Sequence, residues 1–556
     1  MPNIIIREVD LTTPGINNTV TTNTAYVPGY AVTGPVNTPT LCETLEEFEN
    51  IFGISPYVFK EDQYEVTGIK KDKSGTTYSV ATDNTKIAAY KDSYETSYIY
   101  AVQALKSGIP VLFERVMDKG NVDTLTPKAT VSGSGEGIIA LTLTSIYPGK
   151  ANTSIYFTLT KNTVNRVDEY TLTVGRKGEN GVKKVNEVAT KFKIADIQKL
   201  NGNVDNSGLV KLSFNPVSGA TINEYTINEV KDETQLTVED STADEFTFPA
   251  FYNYLYTKDT WDRLLDRGEY NLKFLTTGSY IIPVTNSFDG GTTFKDIIPT
   301  MITTAATRGD CTALIDVKND ACDSLITYVN SHPLHITIND RDEDSYSYAA
   351  AITPISNYYC DIVDKNVDMP GSYAYLTCLG PASSAYNNYF AIAGVNRGLI
   401  ANINRVNEVI TTAKAEKYQS RNDVSINPIQ NIKPYGYCIW GNRTLKDNSI
   451  KGDLIASSFL NVRQLVSDVK KVVYTAAKSL TFEQNSDVLW INFKSKIVPT
   501  LEGMKSGNGL NDYKIERLAT DKKATVKAKI TLYVVEAVED WDITIELSDS
   551  TVLVSE

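Results

Sequence analysis

Two histidines, His332 and His335 in His332-Pro333-Leu334-His335, are the natural starting point for any metal chemistry, because the sequence holds no others. An i, i+3 pair can ligate a metal from one helix face, but Pro333 between them disfavours the helix, so no metal site is expected. The acidic run Asp340, Asp342, Glu343 and Asp344 has the charge of a cation loop. It lacks the turn glycine and the closing bidentate Glu that calcium loops use, and reads as a solvated loop. No G-x-x-x-x-G-K-[ST] phosphate loop occurs; Gly149-Lys150 is followed by Ala151 and has no glycine five residues earlier. Neither a G-x-S-x-G nucleophile elbow nor paired dinucleotide glycines with a following acid are present. A glycosidase carboxylate pair has no sequence signature and could lie anywhere among the 67 acids. With two histidines and no nucleotide motif, the chain is read as a non-enzyme, without metal or cofactor.

Bulk properties narrow the alternatives. A formal net charge of −13, with no local basic run, argues against nucleic acid as a direct partner, since phosphate binding relies on Lys and Arg. The start Met1-Pro2-Asn3-Ile4-Ile5-Ile6-Arg7-Glu8 has no basic n-region followed by an apolar h-region, so no signal peptide is expected. No apolar stretch reaches the roughly 18–20 residues that span a bilayer. The six cysteines (Cys42, Cys311, Cys322, Cys360, Cys378, Cys438) are scattered without metal spacing and are expected reduced and buried. Tyrosine is abundant, 33 copies against 17 Phe and 4 Trp, which suits half-buried surfaces and interfaces. At 556 residues the chain should divide into two to four domains.

The elements follow from periodicity. Ile4, Ile5, Ile6 and Val9 make a β-branched strand. The Thr/Asn/Pro/Gly segment from Thr12, Pro14 and Gly15 to Thr24 separates it from the body, so it must pair with something else. Leu45, Phe48, Ile51 and Phe52 space as a helix ending at Gly53. Tyr98–Lys106 continues as a helix, stops at Gly108, and yields to a strand over Pro110–Val116. Lys60–Lys91 reads as an exposed excursion. Between about 125 and 245, short alternating runs such as Ile138–Leu143 and Ser154–Leu159 recur between turn residues, which suggests an inserted all-β unit. Helix and strand then alternate: a helix carrying Phe294, Ile297, Ile298, Met301 and Ala305, a strand over Thr312–Val317, a helix over Cys322–Val329, and strands near Tyr358–Val363 and Tyr373–Leu379. That order favours a layered α/β domain. Ser457 and Ser458 can cap a helix striped by Val462, Leu465, Val466, Val469, Val472, Val473 and Ala476. A second helix starts near Ser486-Asp487 and ends at Gly507 and Gly509, with Pro499 kinking it. Strands follow over Tyr513–Leu518 and Thr525–Val538. Finally, Trp541, Ile543, Ile545 and Leu547 alternate strictly with Asp542, Thr544 and Glu546, the mark of a half-buried strand.

Several segments resemble the phage tail sheath family. Tyr26–Pro35 is similar to its opening, Leu45–Gly53 to its "F…FG" helix end, and Tyr100–Val116 to its helix–Gly–strand that closes on Arg-Val. Ser145–Phe157 (SIYPGKANTSIYF) resembles the "PG…N" turn at the entrance to an inserted domain. Tyr389–Gly398 is similar to "aPaG…rG", with Ala393 where the family's proline-glycine arrangement is often clearer. Ile426–Leu445 resembles "iN.i……G…wG.RTl", with Gly441, Arg443 and Thr444 in place. Asn461-Val462-Arg463, Phe482–Asn485 and Trp490 match its C-terminal helices.

The resemblance implies a multi-domain, mixed α/β (α+β) fold: a layered α/β sheath core with an inserted all-β domain and terminal strand-exchange arms. The expected divisions are 1–24 (N-terminal arm and linker), 25–119 and 246–390 (sheath core), 120–245 (outer β insertion), 391–540 (C-terminal sheath domain) and 541–556 (C-terminal arm). Such subunits stack as hexameric rings around a tail tube, and contraction drives the tube through the host envelope. Partners are then other copies of the chain, the tube, the baseplate and the tail terminator. The setting is a virion tail assembled in bacterial cytoplasm, with no nucleic acid and no membrane insertion. Ile4, Ile5, Ile6 and Val9 would be the donated N-terminal strand, Trp541, Ile543, Ile545 and Leu547 the C-terminal one, and Thr12, Pro14 and Gly15 the hinge. Lys494, Lys496 and Lys505 are candidate tube contacts. A tailocin or other contractile injection device is the close alternative; a self-assembling surface or adhesin β-protein, or a glycan-degrading enzyme, would be of another class.

Overall fold

The computed structural model describes residues 23–53, 95–117 and, with short breaks, 120–539. Its centre is an eight-stranded sheet built from β1 (Ala25–Gly29), β2 (Thr40–Cys42), β3 (Val111–Arg115), β4 (Phe274–Leu275), β5 (Thr312–Ile315), β6 (Ala349–Thr353), β7 (Asn427–Ile432) and β8 (Gly436–Ile439). The spatial order is β2-β3-β1-β4-β5-β6-β7-β8. The strands from β3 to β7 in that order pair in parallel, and β2 and β8 close the two edges antiparallel.

A parallel sheet needs cover on both faces, because its crossovers place helices there. Side chains alternate accordingly. Val27, Phe113, Phe274, Leu314 and Ile352 join one core, while Tyr26, Leu112, Leu275, Ala313 and Ala351 join the other. The covering helices are α1 (Leu45–Phe52), α2 (Thr96–Lys106), α3 (Ile297–Arg308), α4 (Cys322–Ser331) and α5 (Gly371–Ala385). Helices α1, α2 and α5 cover the first face and α3 and α4 the second. Local chemistry explains α1 well. The Thr44 hydroxyl accepts from the Glu47 N–H, and Glu46 and Glu47 sit in the first turn, where the helix dipole favours negative charge. Phe48 and Phe52 then meet Phe113 edge-on at ring distances of 5.1 and 4.8 Å.

Among the described residues, the buried members of a third core lie between Val131 and Leu236. One sheet there comprises Lys128–Val131, Ala140–Ser145 and Val210–Asn215; the other comprises Val230–Gln235, Ile155–Val164, Val167–Arg176 and Val188–Lys193. Leu141, Leu212 and Phe214 of the first share that core with Phe157, Leu172 and Phe192 of the second. The C-terminal part carries α6 (Leu460–Ser479), α7 (Asp487–Ser506) and a β-hairpin of Leu510–Leu518 with Lys527–Val534. Pro499 lies inside α7, which runs on to its C-cap at Gly507.

Four expectations change. Tyr373–Leu379, expected as a strand, lies within α5. This helix is buried on almost every side from Gly371 to Leu379, so it shows no polar stripe, and a short apolar run cannot be told from a strand by periodicity. The acidic run is not a loop: Arg341–Asp344 is a strand paired antiparallel with His335–Ile338, and charged residues are well suited to a short edge strand. His332 and Asp340 lie outside the described residues. Ser457 and Ser458 do not cap α6. They occupy a 3-10 turn before it, and the N-cap is Phe459 without a side-chain bond; the Ser458 hydroxyl donates instead to Asn448 Oδ1 at 2.6 Å. Tyrosine, finally, is as much a core residue as a surface one. Tyr26, Tyr30, Tyr98 and Tyr100 are buried, their hydroxyls donating to Glu114, Glu245, the Gly53 carbonyl and Ser372. All six cysteines are buried, and none of them is in a disulfide.

Candidate functional site

The described residues include the roots of both terminal segments but not the segments. Ile4, Ile5, Ile6, Val9, Thr12, Pro14 and Gly15 fall outside them, as do Trp541, Ile543, Ile545 and Leu547. At the N-terminal root, Asn23 and Thr24 are buried and lead straight into β1. The Thr24 carbonyl accepts from the N–H groups of Lys273 (2.9 Å) and Phe274 (3.1 Å). The Lys273 ammonium, fully buried, is held by the Asp468 carboxylate of α6 at 2.8 and 3.0 Å. The same helix buries Lys471 against Asn271 Oδ1 at 2.9 Å, and desolvation brings its pKa down to about 8. Helix α6 is thereby tied to the central sheet where the chain enters it.

At the other root stands the Gly441–Thr444 stretch. The Arg443 N–H donates to Asn427 Oδ1 at 2.7 Å, and the Asn427 amide donates to the carbonyls of Ala351 (3.0 Å) and Arg443 (2.8 Å). Gly441 is required by close approach: a Cβ there would lie 2.8 Å from Asn427 Oδ1. Asn442 donates to Asn461 Oδ1 at 2.7 Å, and Thr444 to the Ser457 carbonyl at 3.0 Å, which seats the start of α6. The Arg443 guanidinium lies over the Phe459 ring at 5.3 Å and donates through Nε to Glu539 Oε2 at 2.7 Å.

The hairpin rests on α6 and α7. Tyr513, Ile515, Ile530, Leu532 and Val534 pack on an apolar surface formed by Leu465 and Val469 of α6 and Leu501 and Met504 of α7. Ser486 caps α7 by accepting from the Leu489 N–H, and Asp487 and Asn485 receive Arg517 at 3.0 and 2.8 Å. The hairpin forms a two-stranded sheet, so both of its outer edges lack a strand partner among the described residues. Of the three lysines singled out, Lys494 and Lys496 are exposed on α7, whereas Lys505 pairs with Asp512 at 2.8 Å. At about 100° per residue, Lys494 and Lys505 share a face and Lys496 lies on the far side. The three do not make one patch. What sequence reading missed here is apolar: Phe482, Val488 and Ile491 are exposed at the α6–α7 turn and along α7.

A further junction joins the central sheet to the Lys128–Gln235 strands, and it accounts for two of the motifs. Arg115, at the end of β3, is wholly buried and donates to the carbonyls of Gly34 (3.0 Å) and Pro148 (2.9 Å). Its Nη2 lies 3.6 Å from Glu245 Oε2, which also takes the Tyr30 hydroxyl, while Glu245 Oε1 accepts the Lys150 N–H. Gly149 has φ +122, and a Cβ there would sit 2.7 Å from Arg115 Nη2, so glycine is needed on both counts. Asn152 donates to the carbonyls of Tyr147 (3.0 Å) and Pro148 (3.2 Å) and accepts from Arg176 at 2.7 Å. Burial pushes the Glu245 carboxyl upward, and the Arg115 charge opposes that push. The arrangement is a structural lock, in which backbone carbonyls and an N–H hold a buried charge pair.

A second buried acid is set for titration. Asp316, just past the end of β5, accepts from the N–H of Ser372 at 3.0 Å and from its hydroxyl, and desolvation raises its pKa from 3.8 to about 7. The folded value lies above the unfolded one, so the folded state binds the extra proton. Stability from this group is complete below about pH 4 and is lost as pH rises through about 7. Asp316→Asn is therefore expected to flatten the pH dependence of unfolding free energy between about pH 4 and 7, measured by urea titration at fixed pH steps. An unchanged slope would remove Asp316 as its source.

No family model matches the chain. Over 124 residues it is 31% identical to the tail sheath protein of Vibrio phage KVP40, a stretch covering 22% of this chain and 17% of that one. The chain thus spans about a sixth of the length of the curated relative it matches. Among solved structures, it is similar to the sheath tail protein of Listeria innocua, at 10% identity and a TM-score of 0.50, over 93% of this chain and 99% of that one. The sheath tail protein of Desulfitobacterium hafniense aligns over 96% of this chain and 100% of its own, at 11% identity and a TM-score of 0.46. The mixed α/β fold of this chain is that of a tail sheath protein.

Proposed function

We propose that this chain is the structural, non-catalytic subunit of a contractile tail sheath, which polymerises around a tail tube and contracts to drive it through a host envelope. The observation that carries the reading is the Leu510–Leu518/Lys527–Val534 hairpin. One of its faces rests on two helices, and its outer edges stand unpaired among the described residues. A strand added to such an edge gains main-chain hydrogen bonds for affinity and alternating side chains for register. Ile4, Ile5, Ile6 and Val9 at one terminus, and Trp541, Ile543, Ile545 and Leu547 at the other, are the strands given to neighbouring copies; Thr12, Pro14 and Gly15 are the hinge. Each added bond is worth on the order of 1 kcal/mol net, so a strand of four to six bonds holds a lattice while subunits rotate. Energy for contraction is stored at assembly, as a metastable packing that relaxes to better contacts.

On this reading the copies stack as hexameric rings, the C-terminal helices face the tube through one face of α7, that of Lys494 and Lys505 or the opposite one with Lys496, and the ends meet a baseplate and a terminator. The particle is a virion tail put together in a bacterial cytoplasm, and capsid and terminase genes nearby would distinguish it from a tailocin or other injection device. Electron micrographs of the purified protein test the proposal: hollow tubes of stacked rings are expected, and persistent monomers at high concentration would overturn it.

A further inference from the structure

The two outer edges of the hairpin differ in charge. On Leu510–Leu518 the side chains turned away from the helices include Asp512, Lys514 and Glu516. These are engaged within the chain, Asp512 by Lys505 at 2.8 Å and Glu516 by Lys514 at 2.7 Å. On Lys527–Val534 the outward side chains are Lys527, Lys529, Thr531 and Tyr533, while Ile530, Leu532 and Val534 pack toward α6 and α7. Both lysines are exposed. Among the exposed large apolar residues, Val526, Tyr533 and Val538 lie on or beside this strand, and none lies on Leu510–Leu518. Residues 541–556 carry Asp542, Glu546, Asp549 and Glu556 and no Lys or Arg. We infer that the Lys527–Val534 edge is the acceptor for the C-terminal segment of a second copy, and that charge selects it over the Leu510–Leu518 edge.

This rests on the sheath reading and deepens it. A strand laid along Lys527–Val534 with Trp541, Ile543, Ile545 and Leu547 toward the helices extends the apolar face of Ile530, Leu532 and Val534. The same placement sets Asp542 and Glu546 on the face of Lys527 and Lys529, because side chains alternate with a period of two in both strands. Opposite charges on neighbouring strands stabilise the pairing and like charges oppose it. On the other edge the incoming acids would meet Asp512 and Glu516, with one lysine that is already paired. Edge lysines ordinarily keep strands from pairing. Here they repel an identical edge and admit an acidic strand, so the same residues exclude one partner and favour another. The chain's own segment is led elsewhere: the Val535 N–H pairs with the Gly509 carbonyl at 3.2 Å, residues 535–539 make no turn, and Glu539 is held by Arg443.

The test uses the full chain, with tubes followed by sedimentation. Reversing the edge (Lys527→Glu with Lys529→Glu) is expected to leave melting within a few degrees of wild type. It should raise the critical concentration for tubes at least about tenfold. Reversing the segment (Asp542→Lys with Glu546→Lys) should do the same. An equimolar mixture of the two variants should assemble close to the wild-type concentration, because each supplies the charge that the other requires. A matched control on another exposed strand, Lys191→Glu with Lys193→Glu, should assemble like wild type. Wild-type assembly by the reversed edge would overturn the inference and leave the sheath reading standing. An equal loss in the control would also overturn it, as an effect of net charge alone. So would a mixture that fails to assemble; rescue only with all four changes in one chain would put the segment on its own hairpin. Should the reversed edge not fold, Lys527→Gln with Lys529→Gln takes its place. If wild type forms no tubes, the sheath reading falls, and a synthetic peptide of residues 538–552 is titrated against the full chain. Binding that the reversed edge weakens at least about tenfold supports the edge; equal binding, or none, rejects it.

Discussion

Removal of residues 541–556 is expected to abolish tube formation and leave a folded, soluble monomer. The described members of the five apolar cores lie within Ala25–Val534, and the deletion removes none of those. What is lost is a strand of alternating Trp541, Ile543, Ile545 and Leu547. An added strand of this length contributes several kcal/mol through main-chain bonds, and a polymer multiplies that loss at every subunit. Circular dichroism and melting should match wild type while micrographs show no tubes. Deleting Met1–Val9 should do the same, by the same argument at the other terminus. Unfolding or aggregation in either deletion would mean that the strand belongs to its own subunit.

The second large effect is expected at the buried junction. Arg115→Ala should destabilise the chain by about 3–5 kcal/mol, the usual cost of breaking a buried pair by removing one partner. Both side chains are essentially inaccessible, 0% and 1% exposed, so water cannot rescue Glu245. The Gly34 and Pro148 carbonyls lose their donor in the same step. The pairing itself is isolated by a double-mutant cycle: Arg115→Met with Glu245→Leu should cost less than the sum of the two single changes, by roughly 0.5–3 kcal/mol. Denaturant titration measures all four proteins, and strict additivity would show that the two residues act separately. Limited proteolysis adds a local readout. Cleavage near Gly149 should rise in Arg115→Ala, while the core formed by Val131 to Leu236 keeps its own packing.

How much of this was legible in advance depended on the range of the interaction. Helix α1 could be read from its spacing, because Leu45, Phe48, Ile51, Phe52 and Gly53 act within little more than two turns of one another. Helix α7 was equally plain from Ser486 to Gly507. Helix α5 was not, since a segment buried on nearly all sides shows no stripe, and Tyr373–Leu379 then passes for a strand. The motif Ser145–Phe157 was visible as a motif, but its purpose was not. Arg115, Tyr30 and Glu245 come from distant parts of the chain, with Tyr30 and Glu245 separated by 215 positions. Likewise Arg443 stood out beside Gly441 and Thr444, while its partner Glu539, 96 residues on, did not.

The sequence by itself therefore determined most of the elements, the absence of any nucleotide or nucleophile motif, and the β-type residue patterns of the two terminal segments. Those are properties of spacing and composition, which act over a few residues. Only the tertiary structure decided which buried charges meet, that α6 is tied to the sheet through Lys273 and Asp468, and that a hairpin precedes the C-terminal root with edges that carry no further strand among the described residues. Burial makes those pairings specific: removed from water, each charge and each donor must find its partner within a few ångströms, and folding alone brings them there.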